Sequence, residues 1–239
     1  MAAGSVPVVS ARAARLADRG GLSRFLAWER VFELADPPDY EQPRSASLAA
    51  RAESTRTEPA AIAYDLLAAG GGEALLYSPI FNYADGDLGA VREMLTHPHA
   101  VVGLADGGAH VGTICDASFP TTLLAHWGRD RAEGQLPLPF LVRRQTLDTA
   151  RTVGLDDRGV VAPGYRADLN LIDLDRLVAR RPVARRDLPA GGTRLVQAAD
   201  GYVATVVAGE VTYEEGEATG ALPGRLVRGA RPAPGGASR

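Results

Sequence analysis

Lysine is absent from this 239-residue chain, and its 26 basic residues are all arginine. Arginine-only usage has no folding purpose of its own and reads as codon bias from a GC-rich genome. A strong net charge is lacking too. With 29 acidic residues against 26 basic the formal net charge is −3, which gives no reason to expect a nucleic-acid or anionic-membrane partner. The single cysteine, Cys115, excludes an internal disulfide and fits a reducing compartment. No apolar run approaches the roughly 20 residues of a membrane span. The opening Met1–Ala2–Ala3–Gly4–Ser5–Val6–Pro7 lacks the apolar core of a signal peptide. The expectation is a cytoplasmic protein, and a 46% hydrophobic content is enough for one substantial core or two modest ones.

What is present reads as α/β first and β-rich later. Leu22–Leu34 carries Leu22, Phe25, Leu26, Trp28 and Phe32 at roughly helical spacing, then meets the proline-stiffened Asp36–Pro37–Pro38–Asp39–Tyr40. Ser47–Ser54 predicts a short helix. Thr57 is placed to cap a second over Glu58–Ala69, closed by Gly70–Gly71–Gly72. Ala74–Tyr77 reads as a buried strand, and Asp87 as the cap of a helix Leu88–Leu95 that stops before Pro98. With the apolar run after it, this is the strand–helix–strand spacing of a parallel sheet. Helices are expected at Pro120–Arg131 and at Leu138–Val153, the second ended by Gly154. Beyond Pro163–Gly164 lie a strand at Ala167–Leu174 and two β-branched runs, Val203–Ala208 and Val211–Glu214, joined at Gly209–Glu210 as a hairpin. Residues 1–20 match nothing, and 230–239 have the composition of a disordered tail.

The stretch that carries chemistry is Val101–Val102–Gly103–Leu104–Ala105–Asp106–Gly107–Gly108–Ala109–His110. A continuous apolar run bounded by turn residues predicts a strand buried on both faces. It delivers one carboxylate, Asp106, at its C-terminal end, where α/β barrels place catalytic groups. Gly107 and Gly108 let backbone or ligand approach that carboxylate closely. The alternative is an aspartate that only caps the glycine pair.

Three stretches together resemble the metal-dependent amidohydrolases, and within them the N-acyl-D-amino-acid deacylase (D-aminoacylase) group. They are residues 97–110, 159–173 (Gly159 to Asp173, containing Pro163–Gly164–Tyr165–Arg166–Ala167–Asp168) and 200–209. The second is shared broadly across the superfamily, whereas Gly107–Pro120 points to the deacylase-like branch. The resemblance implies a (β/α)8 barrel with a β-sandwich built from both chain ends. Residues 21–155 would be the last two or three βα units, 156–229 the sandwich segment, and Asp106 the end of the eighth strand. It also implies zinc-dependent hydrolysis of a linear amide bond in a small N-acylated amino acid. Asp106 would be the base to a metal-bound water and at most a weak metal ligand, with Gly107, Gly108 and His110 binding substrate. For His110 a loop histidine satisfied by backbone carbonyls stays open.

Other candidates have plainer readings. His97–Pro98–His99 mimics a metal-binding pair but falls at a helix C-terminus, where histidine complements the helix dipole. His126 and Trp127 read as packing residues, Cys115 as a small apolar residue beside the loop, and Arg143–Arg144, Arg180–Arg181 and Arg185–Arg186 as solvated faces. A complete barrel takes about 250 residues, and a zinc site needs three protein ligands. The first-strand histidine pair and the mid-barrel ligands of the family have no matching positions here. Zinc is therefore not expected to be held by this chain alone, and the chain is expected to be inactive without an N-terminal half chain or self-association. A non-catalytic binding or assembly module derived from the fold is the alternative.

Overall fold

The computed structural model describes residues 27–103, 111–113, 115 and 117–235. It divides into two compact units, Met1–Val91 and Arg92–Arg239.

In the first unit a single 3-10 turn, Trp28–Arg30, gives way at once to strand β1, Phe32–Glu33. The helix expected over Leu22–Leu34 is therefore not formed across 28–34; residues 22–26 lie outside the described residues. Spacing misleads here because Trp28 and Phe32, four apart, suit a helix face and one face of an extended chain equally. Phe32 is fully buried between the rings of Tyr77 and Tyr83, 6.4 and 6.2 Å away, and this packing overrides the local pattern. Helix α1, Leu48–Thr55, starts as expected. Ser47 Oγ accepts the Ala50 amide at 3.2 Å, and Arg56 closes the helix in the left-handed region. Helix α2, Pro59–Ala68, begins on its proline. Thr57 does not cap it, because its hydroxyl donates instead to the Thr55 carbonyl. Proline at the first position has no amide to satisfy, which lessens the need for a cap. Val31, Leu48 and Ala63 make the buried centre, with Trp28, Ile62, Leu66 and Leu76 packed around it.

Strand β2, Leu76–Tyr77, is shorter than the expected Ala74–Tyr77 and only half-buried. It pairs antiparallel with β1, Phe32 opposite Tyr77. Helix α3, Gly89–Thr96, follows with Asp87 Oδ1 accepting the Gly89 amide at 2.7 Å. The parallel strand–helix–strand unit is not seen among the described residues. The neighbour of β2 is the antiparallel β1, and Val101–Gly103 forms no strand, with Val101 48% exposed.

The second unit carries helix α4, Phe119–Ala125, prolonged by a π-helical turn, His126–Asp130. Helix α5, Leu138–Arg143, runs through a π-helical turn, Arg144–Asp148, into α6, Thr149–Thr152, and Gly154 at φ +74 ends it. Trp127 is buried, edge-on to His126 and with the Arg131 guanidinium 4.8 Å from its ring. Arg129 ties this helix to the β-rich part, donating to the carbonyls of Leu174, Asp175 and Leu177.

Strands follow in chain order: β3 Leu169–Ile172, β4 Val178–Ala179, β5 Val183–Leu188, β6 Gly192–Val196, β7 Ala199–Asp200, β8 Tyr202–Val207, β9 Glu210–Glu214 and β10 Glu217–Ala218. They form an antiparallel sheet in the order β10–β9–β8–β3 and two two-stranded ladders, β4·β7 and β5·β6. The β8–β9 turn is Ala208–Gly209, at φ +55 and +86, one residue earlier than expected. Both central residues of such a turn need positive φ, and only one of these is glycine. Gly201, at φ +92, lies so close to the Leu177 backbone that a Cβ there would sit 2.6 Å from its Cα. Within the stretch expected to be a loose tail, Arg231 exchanges backbone hydrogen bonds with Gly154 and Asp156 at 2.7 and 2.8 Å. Among the described residues no helix is long and apolar enough to cross a membrane.

Candidate active site

Asp106, Gly107, Gly108 and His110 lie outside the described residues. What the structure shows is how the chain is held on either side of them. Upstream, α3 ends at Thr96, and His97 to Ala100 form a tight turn in which the Ala100 amide donates to the His97 carbonyl at 3.2 Å. Arg144 fastens that turn. Its Nη2 donates to the His97 carbonyl at 2.8 Å and its Nη1 to the Ala100 carbonyl at 2.7 Å. Downstream, the Val111 carbonyl accepts the Leu195 amide of β6 at 2.7 Å, and the Cys115 thiol sits 4.0 Å from Gln197 Oε1. Thr121 on α4 shares a 2.9 Å hydrogen bond with the Tyr202 hydroxyl of β8. Val101 thus follows a helix-anchored turn, and Val111 is bonded to strand β6.

Arg144 corrects the sequence reading, which placed it on a solvated face. It is 8% exposed, stacks 5.0 Å from the Phe140 ring and lies 3.7 Å from Asp148 one turn on. A guanidinium can be buried here because a carboxylate and two carbonyls face it. The one local signal in the sequence was that Arg144 lies three residues after the fully buried Leu141, on the same face of the helix. Its neighbour Arg143 points outward and pairs with Asp148 at 2.9 Å.

His97 and His99 are brought together, their rings 5.6 Å apart, but for a local purpose. His97 Nδ1 accepts the His99 amide, closing the turn. Among the described residues no three His, Cys, Asp or Glu side chains come together as a metal site would require. The described donors therefore do not fit a zinc ion. Electrostatics elsewhere in this unit are structural. Arg158 hydrogen-bonds Asp157 and holds its carboxyl below the usual carboxylate range, and both belong to a cluster with Arg166 and Asp168. Asp168 in turn accepts the Ala208 amide, bracing the β8–β9 turn.

Comparison with known proteins decides the family. A family model described as "Amidohydrolase family" matches residues 34–213, which is most of the chain. The chain belongs to the amidohydrolase family. Over 107 residues it is 35% identical to adenine deaminase 1 of Rhizobium meliloti (strain 1021), covering 36% of this chain and 18% of that protein. It is 38% identical over 78 residues to a 5-methylthioadenosine/S-adenosylhomocysteine deaminase of Desulfitobacterium hafniense (strain DSM 10664 / DCB-2), covering 32% of this chain and again 18% of the relative. This amidohydrolase-family chain thus aligns with under a fifth of those curated relatives' length. Among solved structures it is similar to a D-aminoacylase mutant in complex with copper chloride, with a TM-score of 0.41, 22% identity, and coverage of 80% of this chain and 36% of that one.

Proposed function

We propose that the protein is a hydrolase of linear amide C–N bonds, of the N-acyl-D-amino-acid deacylase kind, with Asp106 as its general base. The observation that carries this reading is the family match, which spans residues 34–213, a range that includes Asp106. Support comes from the Gly107–Pro120 block, which resembles the deacylase-like branch, and from the anchoring of both flanks of that segment. Asp106 takes a proton from the water that attacks the acyl carbonyl. It then returns the proton to the departing amine nitrogen, and the products are a carboxylic acid and a D-amino acid. Gly107, Gly108 and His110 bind the substrate on this reading.

On this reading residues 21–155 are the closing βα units of a barrel and 156–229 part of a β-sandwich. Zn²⁺, which the family resemblance implies, would take its ligands chiefly from another polypeptide, either an N-terminal half chain or a second copy. The test is release of acetate from N-acetyl-D-amino acids by the 239-residue chain with added Zn²⁺, first alone and then with the polypeptide encoded immediately upstream. No turnover alone and turnover in the mixture is expected. Turnover by the lone chain contradicts the need for a partner.

A second reading is a purine-type deaminase, favoured by the names of the curated relatives, which are adenine and 5-methylthioadenosine/S-adenosylhomocysteine deaminases. Ammonia release from adenine or 5-methylthioadenosine, without acetate release from any N-acetyl-D-amino acid, would select it.

A further inference from the structure

Strand β3 is an edge of its sheet: in the order β10–β9–β8–β3 no strand lies beyond it among the described residues. Edges are ordinarily guarded against pairing with another chain by charge, proline or a bulge. Leu169–Asn170–Leu171–Ile172 carries no charge and no proline, and the register shift at Leu171/Ile172 puts its extra residue, Val203, in β8. The flanking aspartates do not guard this edge. Asp168 is taken up by Arg166 and the Ala208 amide, both at 2.8 Å, and Asp173 Oδ1 accepts the amides of Asp175 and Arg176. Leu169 and Leu171, two residues apart, share one face and are 39% and 61% exposed.

Backbone groups fix how a neighbour would sit. On the β8 side the Ala167 carbonyl accepts the Gly209 amide at 2.9 Å, and the Asp173 amide donates to the Gly201 carbonyl at 2.8 Å. Bonding groups alternate sides along a strand, so the amide and carbonyl of Asn170, three residues from each, turn to the open side. About that point the strand is self-complementary. Antiparallel pairing of Asn170 with Asn170 of a second copy exchanges two hydrogen bonds, and it sets Leu169 and Leu171 opposite the second copy's Leu171 and Leu169. A two-fold axis requires such a match, residue i on j and j on i. We infer that a second copy of this chain pairs with β3 across a two-fold axis at Asn170, joining two four-stranded sheets into one of eight. So short an interface falls below the roughly 1,200 Å² of a stable complex, so the dimer is weak and reversible, with a micromolar to submillimolar Kd. The inference does not depend on the hydrolase reading, because it uses no residue proposed for catalysis or substrate binding.

Sedimentation equilibrium of the full chain, from micromolar to submillimolar concentration, is the test. A reversible monomer–dimer equilibrium is expected. Leu171→Lys should weaken it about tenfold or more, because it sets a charge against the opposing Leu169. Asn170→Pro, which removes the amide facing the open side, should also weaken it. Val211→Lys lies on β9, two strands in from the edge, and should leave the dimer unchanged. Leu171 is largely exposed, so Leu171→Lys is expected to keep the melting temperature of the dilute wild-type chain. A chain that stays monomeric throughout overturns the inference, as does a dimer that Leu171→Lys leaves intact. A dimer that Val211→Lys weakens as much as Leu171→Lys does overturns it too, since the copies would then meet face to face. So does protection of the Asn170 amide from hydrogen exchange only when the polypeptide encoded upstream is added, because the edge then belongs to another strand.

Discussion

The guanidinium of Arg144 donates to the carbonyl of Ala100 at 2.7 Å, joining a helix to a turn 44 residues earlier in the chain. A second bond, to the His97 carbonyl at 2.8 Å, makes the contact two-pronged. Arg144→Met should destabilise the second unit by about 2–5 kcal/mol, because it removes a charged donor and leaves the His97 and Ala100 carbonyls unmatched. Arg144→Lys should recover less than half of that, since one ammonium cannot span both carbonyls as the fork does. Thermal melting of the two variants checks the ranking. Equal stability of Lys and Arg would contradict the two-pronged role.

In the first unit, Leu48 is fully buried and its amide donates to the Val31 carbonyl at 2.8 Å. Leu48→Ala should cost about 2–5 kcal/mol, the usual range for opening a cavity at a leucine. Denaturant unfolding followed by the fluorescence of Trp28, packed on the same cluster, reads that loss. A change below about 0.5 kcal/mol would mean the site collapses freely.

Burial pushes the Tyr83 phenol up from 10.0 to about 12, with Glu41, Asp39 and Asp87 adding to the effect and Arg44 opposing it. Its hydroxyl donates to the Gln42 carbonyl. The folded chain thus holds this proton more tightly than the unfolded chain does. Between pH 10 and about 12 the unfolded state loses it first, so stability falls as pH rises through that window. Tyr83→Phe should flatten this alkaline fall, as read by melting temperature against pH. An unchanged slope would place the titration elsewhere.

Asp157 is shifted the other way. The hydrogen bond from Arg158 holds its carboxyl below the ordinary value of 3.8, with the Arg158 and Arg231 charges adding to the effect and burial opposing it. This contribution to stability is present above the ordinary value and is lost as pH falls through the depressed one. Arg158→Gln should therefore narrow the difference in melting temperature between pH 7 and pH 3. The same difference in variant and wild type would contradict the pairing.

Ala208 stands at φ +55 in the β8–β9 turn without the freedom of glycine. Ala208→Asn should stabilise the hairpin by a few tenths to about 1 kcal/mol, since asparagine tolerates this region, while Gly209→Ala should destabilise it. Thermal melting decides the sign of each.

These residues also show what could be read from the sequence. The capping role of Asp87 was legible because a cap is a local bond between a side chain and an amide two or three residues on, whereas the cap expected of Thr57 is not formed and that of Ser47 was not read. The helices over 119–130 and 138–152 were legible from their apolar spacing, although the π-helical turns within them were not. The Ala208–Gly209 turn was misplaced by one residue because alanine gives no warning of a positive φ. Phe32 was misread because its partners, Tyr77 and Tyr83, are about 50 residues away. Arg144 was missed for the same reason: its carbonyl acceptors carry no side-chain signature. The reading of Asp106 rests on motif and resemblance, and it is the flanks of its loop, not the carboxylate, that the structure describes.

The role proposed for Asp106 is to move the proton in amide hydrolysis. Its most direct measurement compares wild type with Asp106→Asn in release of acetate and free D-amino acid from N-acetyl-D-amino acids, with Zn²⁺ and the upstream polypeptide present. A fall of about a hundredfold or more in kcat, with substrate still bound, is predicted for loss of a general base. Undiminished turnover by Asp106→Asn would contradict it.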